Sequence, residues 1–274
     1  MNRLSTERRA QIIRCLVEGN SIRSTVRITG AAKNTVTKLL VDVGKACAEY
    51  QNENVRNLSC KRLQIDEIWS FCYAKKKNVP KQYRGEFGYG DVWTFTAIDA
   101  DTKLVPAWLV GNRTINTASI FLNDLSSSLK NKPQLTTDGH KMYLIAVEDT
   151  FGIEVDYAQL IKIYGSSQED EKRYSPAECI EVIPKHIIGN PEPKNISTGY
   201  VERQNLTMRM NMRRFTRLTN GFSKKVDNLT HAVALHFMYY NFVRIHKTLK
   251  VTPAMEAKVT DRLWDIEDVV NLAE

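Results

Sequence analysis

Cysteine is scarce in this chain and never paired at short range. The five thiols (Cys15, Cys47, Cys60, Cys72 and Cys179) are scattered and no CxxC spacing occurs, which argues against both a zinc knuckle and a disulfide framework. Long apolar runs are also missing. No stretch approaches a membrane span, and the amino terminus, MNRLSTERRAQ, is charged where a secretory signal needs an apolar core. These absences predict a cytoplasmic protein with no membrane partner. Histidine is sparse as well: His231 and His236 lie five apart, a poor spacing for two ligands of one metal, and read as ordinary helix residues. Acidic charge falls short of basic, 31 residues against 39, so the chain carries a formal net charge of +8 and suits polyanionic partners. No internal repeat is visible.

The chain opens on a small, basic, helical unit. STERRAQIIRCLVEG has a capping serine or threonine, apolar residues at helical spacing and a Gly-Asn stop. NSIRSTVRITG is a shorter segment ending in Gly30, and AAKNTVTKLLVDVGKACAEY supplies a third helix with Val36, Leu39, Leu40 and Val43 inward. The pattern predicts an all-α helix-turn-helix domain over 1–50, with nine Lys or Arg against four Asp or Glu. Lys33, Asn34, Thr35 and Lys38 occupy the first turns of its last helix, the end that meets base edges in such motifs. A plain three-helix cap or dimerisation piece is the competing reading of this unit. Polar residues 51–62 read as a linker.

Strand-like runs follow at 63–73, 91–99 and 104–110, the first two separated by a basic, glycine-containing loop (AKKKNVPKQYRGEFGYG). A helix over about 115–130, a strand at PQLTT, a helix at KMYLIAVEDTFG and a strand at EVDYAQLIKI complete an α/β pattern. A mixed sheet with flanking helices is therefore expected over 63–250. Residues 164–198, rich in glycine, serine, proline and charge, are expected as a loop-rich insertion. Helical periodicity returns at 198–217 and 225–244, and 251–274 is expected as a helical tail. Trp69 and Trp93 read as core residues.

Three acids stand where apolar elements would favour hydrophobes: Asp66 in LQIDEIWSFCY, Asp138 in PQLTTDGHKMY and Glu202 in TGYVERQNLTMRM. Clustering buried carboxylates is costly unless cations neutralise them. Mg²⁺ is a hard ion held by a few carboxylates plus substrate phosphate, and a pair of such ions clamps the attacking and leaving oxygens of a phosphodiester. Each acid has a plainer reading as a turn, cap or solvated residue; their combination carries the argument. Glu67 adjoins Asp66, but neighbours on a strand face opposite ways, so the two are not expected to serve one site. Asp99 is expected near the site without being a ligand. From Arg203 to Val226 there are seven basic residues and no acidic one. Arg203, Arg209, Arg213 and Arg214 are thus candidates to hold phosphates beside Glu202.

DEIWSF around Asp66, TDGHKMY around Asp138 and VERQNLTMRMNMRRFTR followed by GFSKKV resemble the DDE transposases of bacterial insertion sequences, with the insertion-sequence-one family the nearest likeness. The resemblance covers roughly residues 60–245, and an acid seven positions before a basic residue (Glu202 and Arg209) is that superfamily's hallmark. It implies a ribonuclease-H-like catalytic core in which Asp66 and Asp138 are strand-borne metal ligands and Glu202 the helix-borne one. It also implies two Mg²⁺ ions, replaceable by Mn²⁺. Cleavage of transposon ends by water and attack of the freed 3′-hydroxyl on target DNA would follow. Double-stranded DNA is then the partner, the protein works as a homodimer or higher oligomer, and it lies on the nucleoid when bound. The segment YYNFVRIHKTLKVTPAMEA (Tyr240, Asn241, Arg244, His246) resembles one common near the end of such cores; a packing helix with a basic tip is its other reading. Two features depart from the family: no cysteine cluster lies near the amino terminus, and the stretch between Asp138 and Glu202 is longer than in compact members. A non-catalytic DNA-binding regulator and a simple metal-dependent nuclease are the competing functions.

Overall fold

The computed structural model describes residues 4–165, 178–216 and 219–274. Three helices come first: α1 (Thr6–Val17), α2 (Ile22–Thr29) and α3 (Lys33–Asn54). Ser5 caps α1 by accepting from the backbone N–H of Arg8, and Gly30 ends α2 in the left-handed region at φ 69°, where a side chain would be strained. The third helix runs on to Asn54, through the first residues expected as linker, because Cys47 and Gln51 continue its buried face.

The expected strands and helices then follow in order: β1 (Arg62–Cys72), β2 (Gly90–Asp99), β3 (Ala107–Gly111), α4 (Ile115–Ser128), β4 (Gln134–Asp138), α5 (Met142–Phe151) and β5 (Asp156–Tyr164). One further strand, β6 (Cys179–Ile188), lies inside the stretch expected to be loop-rich. It pairs antiparallel with β5, and its β-branched residues explain the pairing despite Pro184, which an edge strand tolerates. Residues 166–177 of that stretch lie outside the described residues.

The six strands form one mixed sheet in the order β3-β2-β1-β4-β5-β6. β1 is antiparallel to β2 and parallel to β4, and β4 is parallel to β5. Helices cover both faces. Leu63 and Ile65 of β1 pack with α4 and α5, whereas Ile68 and Cys72 face α6 (Gly199–Asn211) and α7 (Val226–Met238). The helix expected to reach Arg217 stops at Met212, and Arg213–Phe215 make a separate 3₁₀ turn. After α7 the chain makes a π-turn over Tyr239–Val243, then two short helices, α8 (Pro253–Glu256) and α9 (Ile266–Asn271).

The first three helices share a continuous apolar core with the sheet and with α9. α3 lies so close to α7 that a Cβ on Gly44 would sit 2.5 Å from the carbonyl oxygen of His231. Glu267 of α9 is paired with Arg14 of α1 at 2.8 Å. None of the helices among the described residues is long and apolar enough to cross a membrane.

Candidate metal centre and its basic surroundings

Register places the acids. β1 and β4 are paired only from Arg62–Gln134 to Ile65–Thr137, after which they part. Asp66 and Asp138 are the first residues past that pairing: Asp138 is the last residue of β4, and Asp66 stands beside it where β1 runs on without β4. Among the described residues, Asp66, Glu67 and Asp138 each offer a carboxylate oxygen within 4.8 Å of the others.

Glu67 therefore belongs to the cluster, contrary to the expectation from strand alternation. Alternation does hold along β1. Gln64 and Asp66 face α6, where Asp66 Oδ2 accepts from Asn205 Nδ2 at 2.8 Å; Glu67 faces α5, where its Oε2 accepts from Tyr143 Oη at 2.7 Å. What the rule omits is the gap left by β4. With β4 gone from that edge of β1, carboxylates from the two faces approach one another past the end of β4. The Glu67 side chain is fully buried, and its charge is met by Arg113 Nε at 2.5 Å; Arg113 Nη2 also lies 3.8 Å from Asp138 Oδ2.

Burial, and after it the charges of Glu67 and Asp138, pushes the Asp66 carboxyl up to about 7. Burial likewise raises Glu67, reinforced by Asp138 and opposed by Tyr143 and Arg113. Burial and the Glu67 charge hold the Tyr143 phenol well above its ordinary value, so it stays protonated and donates. Three carboxylates this close repel one another; Arg113 relieves part of that repulsion, and a metal ion held between them could relieve the rest.

Glu202 stands in the first turn of α6. That helix is docked on β1 by Gln64, whose Oε1 accepts the backbone N–H groups of Tyr200 at 2.7 Å and Val201 at 3.2 Å. The Glu202 charge reaches Asp66 strongly enough to raise it, yet its carboxylate is held by Lys162 of β5 and by the Thr198 hydroxyl. Asp66, Glu67 and Asp138 thus form the tight cluster, and Glu202 flanks it on a lysine.

The basic residues divide. Lys33, Asn34 and Lys38 are exposed and Thr35 half-buried at the start of α3; Lys38 pairs with Asp42 at 2.6 Å. Arg203 and Arg213 are exposed, Arg209 half-buried. Arg213 lies beyond α6, which ends at Asn211 with Met212 as its cap, and so stands outside the helix that carries Glu202. Arg214 is drawn inward, where its Nη1 donates to Ser223 Oγ at 3.2 Å and burial pushes its guanidinium down to about 10. Arg213 and Arg214 nevertheless meet Lys33 on one cleft of about 730 Å³ between the first helices and the α6–α7 segment, joined there by Arg23 and Lys224.

Asp99 is buried three pairs from Asp66 along the β1–β2 ladder, opposite Leu63, and serves its own turn by accepting from Thr102 Oγ1 at 2.7 Å. Other expectations change. Trp69 and Trp93 are half-buried: Trp69 lines an open cleft and Trp93 lies under the Arg113 guanidinium, 4.6 Å from its ring centre. His236 is buried with neither ring nitrogen bonded. Asn241 clamps both backbone groups of Val105 at 3.0 Å, the packing role, while Arg244 is exposed at the tip. Gln64, Glu67, Arg113, Tyr143, Lys162 and Asn205 were not singled out as site residues by the sequence. The only local signal was the second acid of the Asp66-Glu67 pair.

Fold and site together define an α/β protein with an acidic cluster able to hold a metal ion at the end of its central strands. No protein-family model and no curated protein matches the chain.

Proposed function

We propose that the protein is a DDE-type transposase, a metal-dependent enzyme that cuts and joins DNA strands. The observation that carries the reading is the convergence of Asp66 and Asp138 just past the last paired residues of β1 and β4, with Glu202 presented beside them by α6. A sheet of three antiparallel strands continuing into parallel ones, with helices on both faces, is compatible with the ribonuclease-H-like fold that the motifs imply.

The carboxylate set fits Mg²⁺ or Mn²⁺, and two such ions held by Asp66, Asp138 and Glu202 would neutralise charge developing on a phosphodiester. The chain's own residues supply the positioning. Asn205 and the Glu67 backbone N–H hold the Asp66 carboxylate in one orientation, and the His140 N–H does the same for Asp138 at 3.0 Å. Glu67, fixed by Tyr143 and Arg113, keeps a further negative charge behind them. Glu202 is paired with Lys162; were Glu202 to hold a metal ion, that ammonium would be free to pair with a phosphate.

DNA is held outside this centre by cations from two parts of the chain. Lys33, Asn34, Thr35 and Lys38 lie at the open start of α3, which we read as the recognition helix of a helix-turn-helix. Arg213 and Arg214 share a cleft with Lys33, and Arg203 and Arg209 lie on the helix that carries Glu202; we read these four as phosphate contacts. Joining two transposon ends requires at least a homodimer.

A regulator without catalysis would need no such cluster, and a plain nuclease would need no separate basic helical unit. Glu202→Gln is expected to abolish Mg²⁺-dependent DNA cleavage, a loss of at least about 10²-fold, while duplex binding in a mobility-shift assay is retained. Loss of binding together with cleavage would count against the assignment of Glu202.

A further inference from the structure

Alternation along β1 puts Trp69 and Phe71 on the same face as Glu67, roughly 7 and 13 Å further along at about 3.3 Å per residue. There the strand borders a second cleft of about 720 Å³, lined among others by Trp69, Phe71, Tyr73, Lys75, Arg214 and Phe222. Its rings form a row. Trp69 and Phe71 are 5.7 Å apart between centres, and Phe71 and Phe222 are 4.6 Å apart and tilted by 32°. All three are half-buried, each keeping surface open to the cleft. Ammonium groups attend them: Lys224 Nζ is 4.1 Å from the Phe222 ring centre and Lys75 Nζ is 6.0 Å from that of Phe71.

The loop above this row, between β1 and β2, carries Lys75, Lys76, Lys77, Lys81 and Arg84, all exposed. The inner wall carries the Arg214 guanidinium, which has no carboxylate partner among the described residues. Open aromatic faces beside unneutralised cations match a ligand that alternates flat rings with negative charge. A duplex hides its base faces in its own stack, whereas an unpaired strand presents both bases and phosphates.

We propose that this cleft binds unpaired nucleotides of the DNA strand that continues from the acidic cluster, with bases stacked on Trp69, Phe71 and Phe222 and phosphates held by Lys75 and Arg214. The assignment rests on the DNA reading above and adds to it a place for a strand opened next to the cut.

The test is binding of a fluorescein-labelled oligothymidylate, followed by anisotropy, to the full chain and to Phe71→Leu and Phe222→Leu, which keep apolar volume and lose the flat ring. Thermal melting of each variant checks that it is folded. Each variant is expected to bind the oligonucleotide about tenfold or more weakly, the ordinary loss for one stacking ring, and wild-type Trp fluorescence should be quenched on binding. Wild-type affinity in both folded variants overturns the cleft assignment alone if the wild type still binds and cuts duplex DNA with Mn²⁺. If the wild type binds neither oligonucleotide nor duplex, the DNA reading fails and this assignment with it.

Discussion

Asp66 is the residue on which the proposed chemistry turns. Its carboxyl is pushed up to about 7, first by burial and then by Glu67 and Asp138. A carboxyl raised above its unfolded value favours the protonated folded state, so the stability it confers is full below about pH 4 and is lost as pH rises through about 7. Two outcomes follow. Metal-free Asp66→Asn should gain stability relative to wild type between about pH 5 and pH 8, read from thermal melts at the two values. Mn²⁺ affinity of the wild type should rise by up to about tenfold per pH unit below 7 and level off above it, because the ion binds the ionised carboxylate. A pH-independent affinity, measured by calorimetry, would show that Asp66 is not a ligand. At the same scale, the sequence exposed Asp66 and Asp138 because each interrupts an apolar strand. It concealed Glu67, because period-two alternation assigns a face yet says nothing of where a neighbouring strand stops. It also concealed Lys162 as the counter-ion of Glu202, since that contact spans forty positions and depends on the β5–α6 packing.

Among elements, the long apolar periods and strand runs were legible nearly to the residue: α1, β1, β2, α4, α5 and β5 lie where periodicity and caps put them. β6 was not, because its Ile and Val residues are interleaved with charge and proline, and an edge strand needs no buried face to pair. The end of α6 at Met212 was also hidden: the run to Arg217 contains no helix breaker, and Phe215 leaves the helical line to be buried against β1's side of the sheet. The joining of the helical unit to the core was invisible too, because it depends on one residue without a side chain. In a free helix Gly44→Ala would stabilise by about 1 kcal/mol. Against α7 the added methyl meets the His231 backbone, so the substitution is expected to destabilise by about 1–3 kcal/mol in denaturant melts. A gain in stability would mean that α3 does not pack on α7 in solution.

For the whole molecule, three features stand together: an acidic cluster where β4 ends beside β1, a cleft that brings Lys33, Arg213 and Arg214 together, and an overall charge of +8. Only together do they support the proposed DNA-cutting enzyme; each alone is common among α/β proteins. The most direct measurement is nicking of supercoiled plasmid by the purified chain in Mn²⁺, with Asp138→Asn purified in parallel. The account predicts metal-dependent nicking by the wild type, none in EDTA, and at least a hundredfold slower reaction in the variant. Equal rates in the two proteins, or a wild type that leaves the plasmid intact in Mn²⁺, would contradict it.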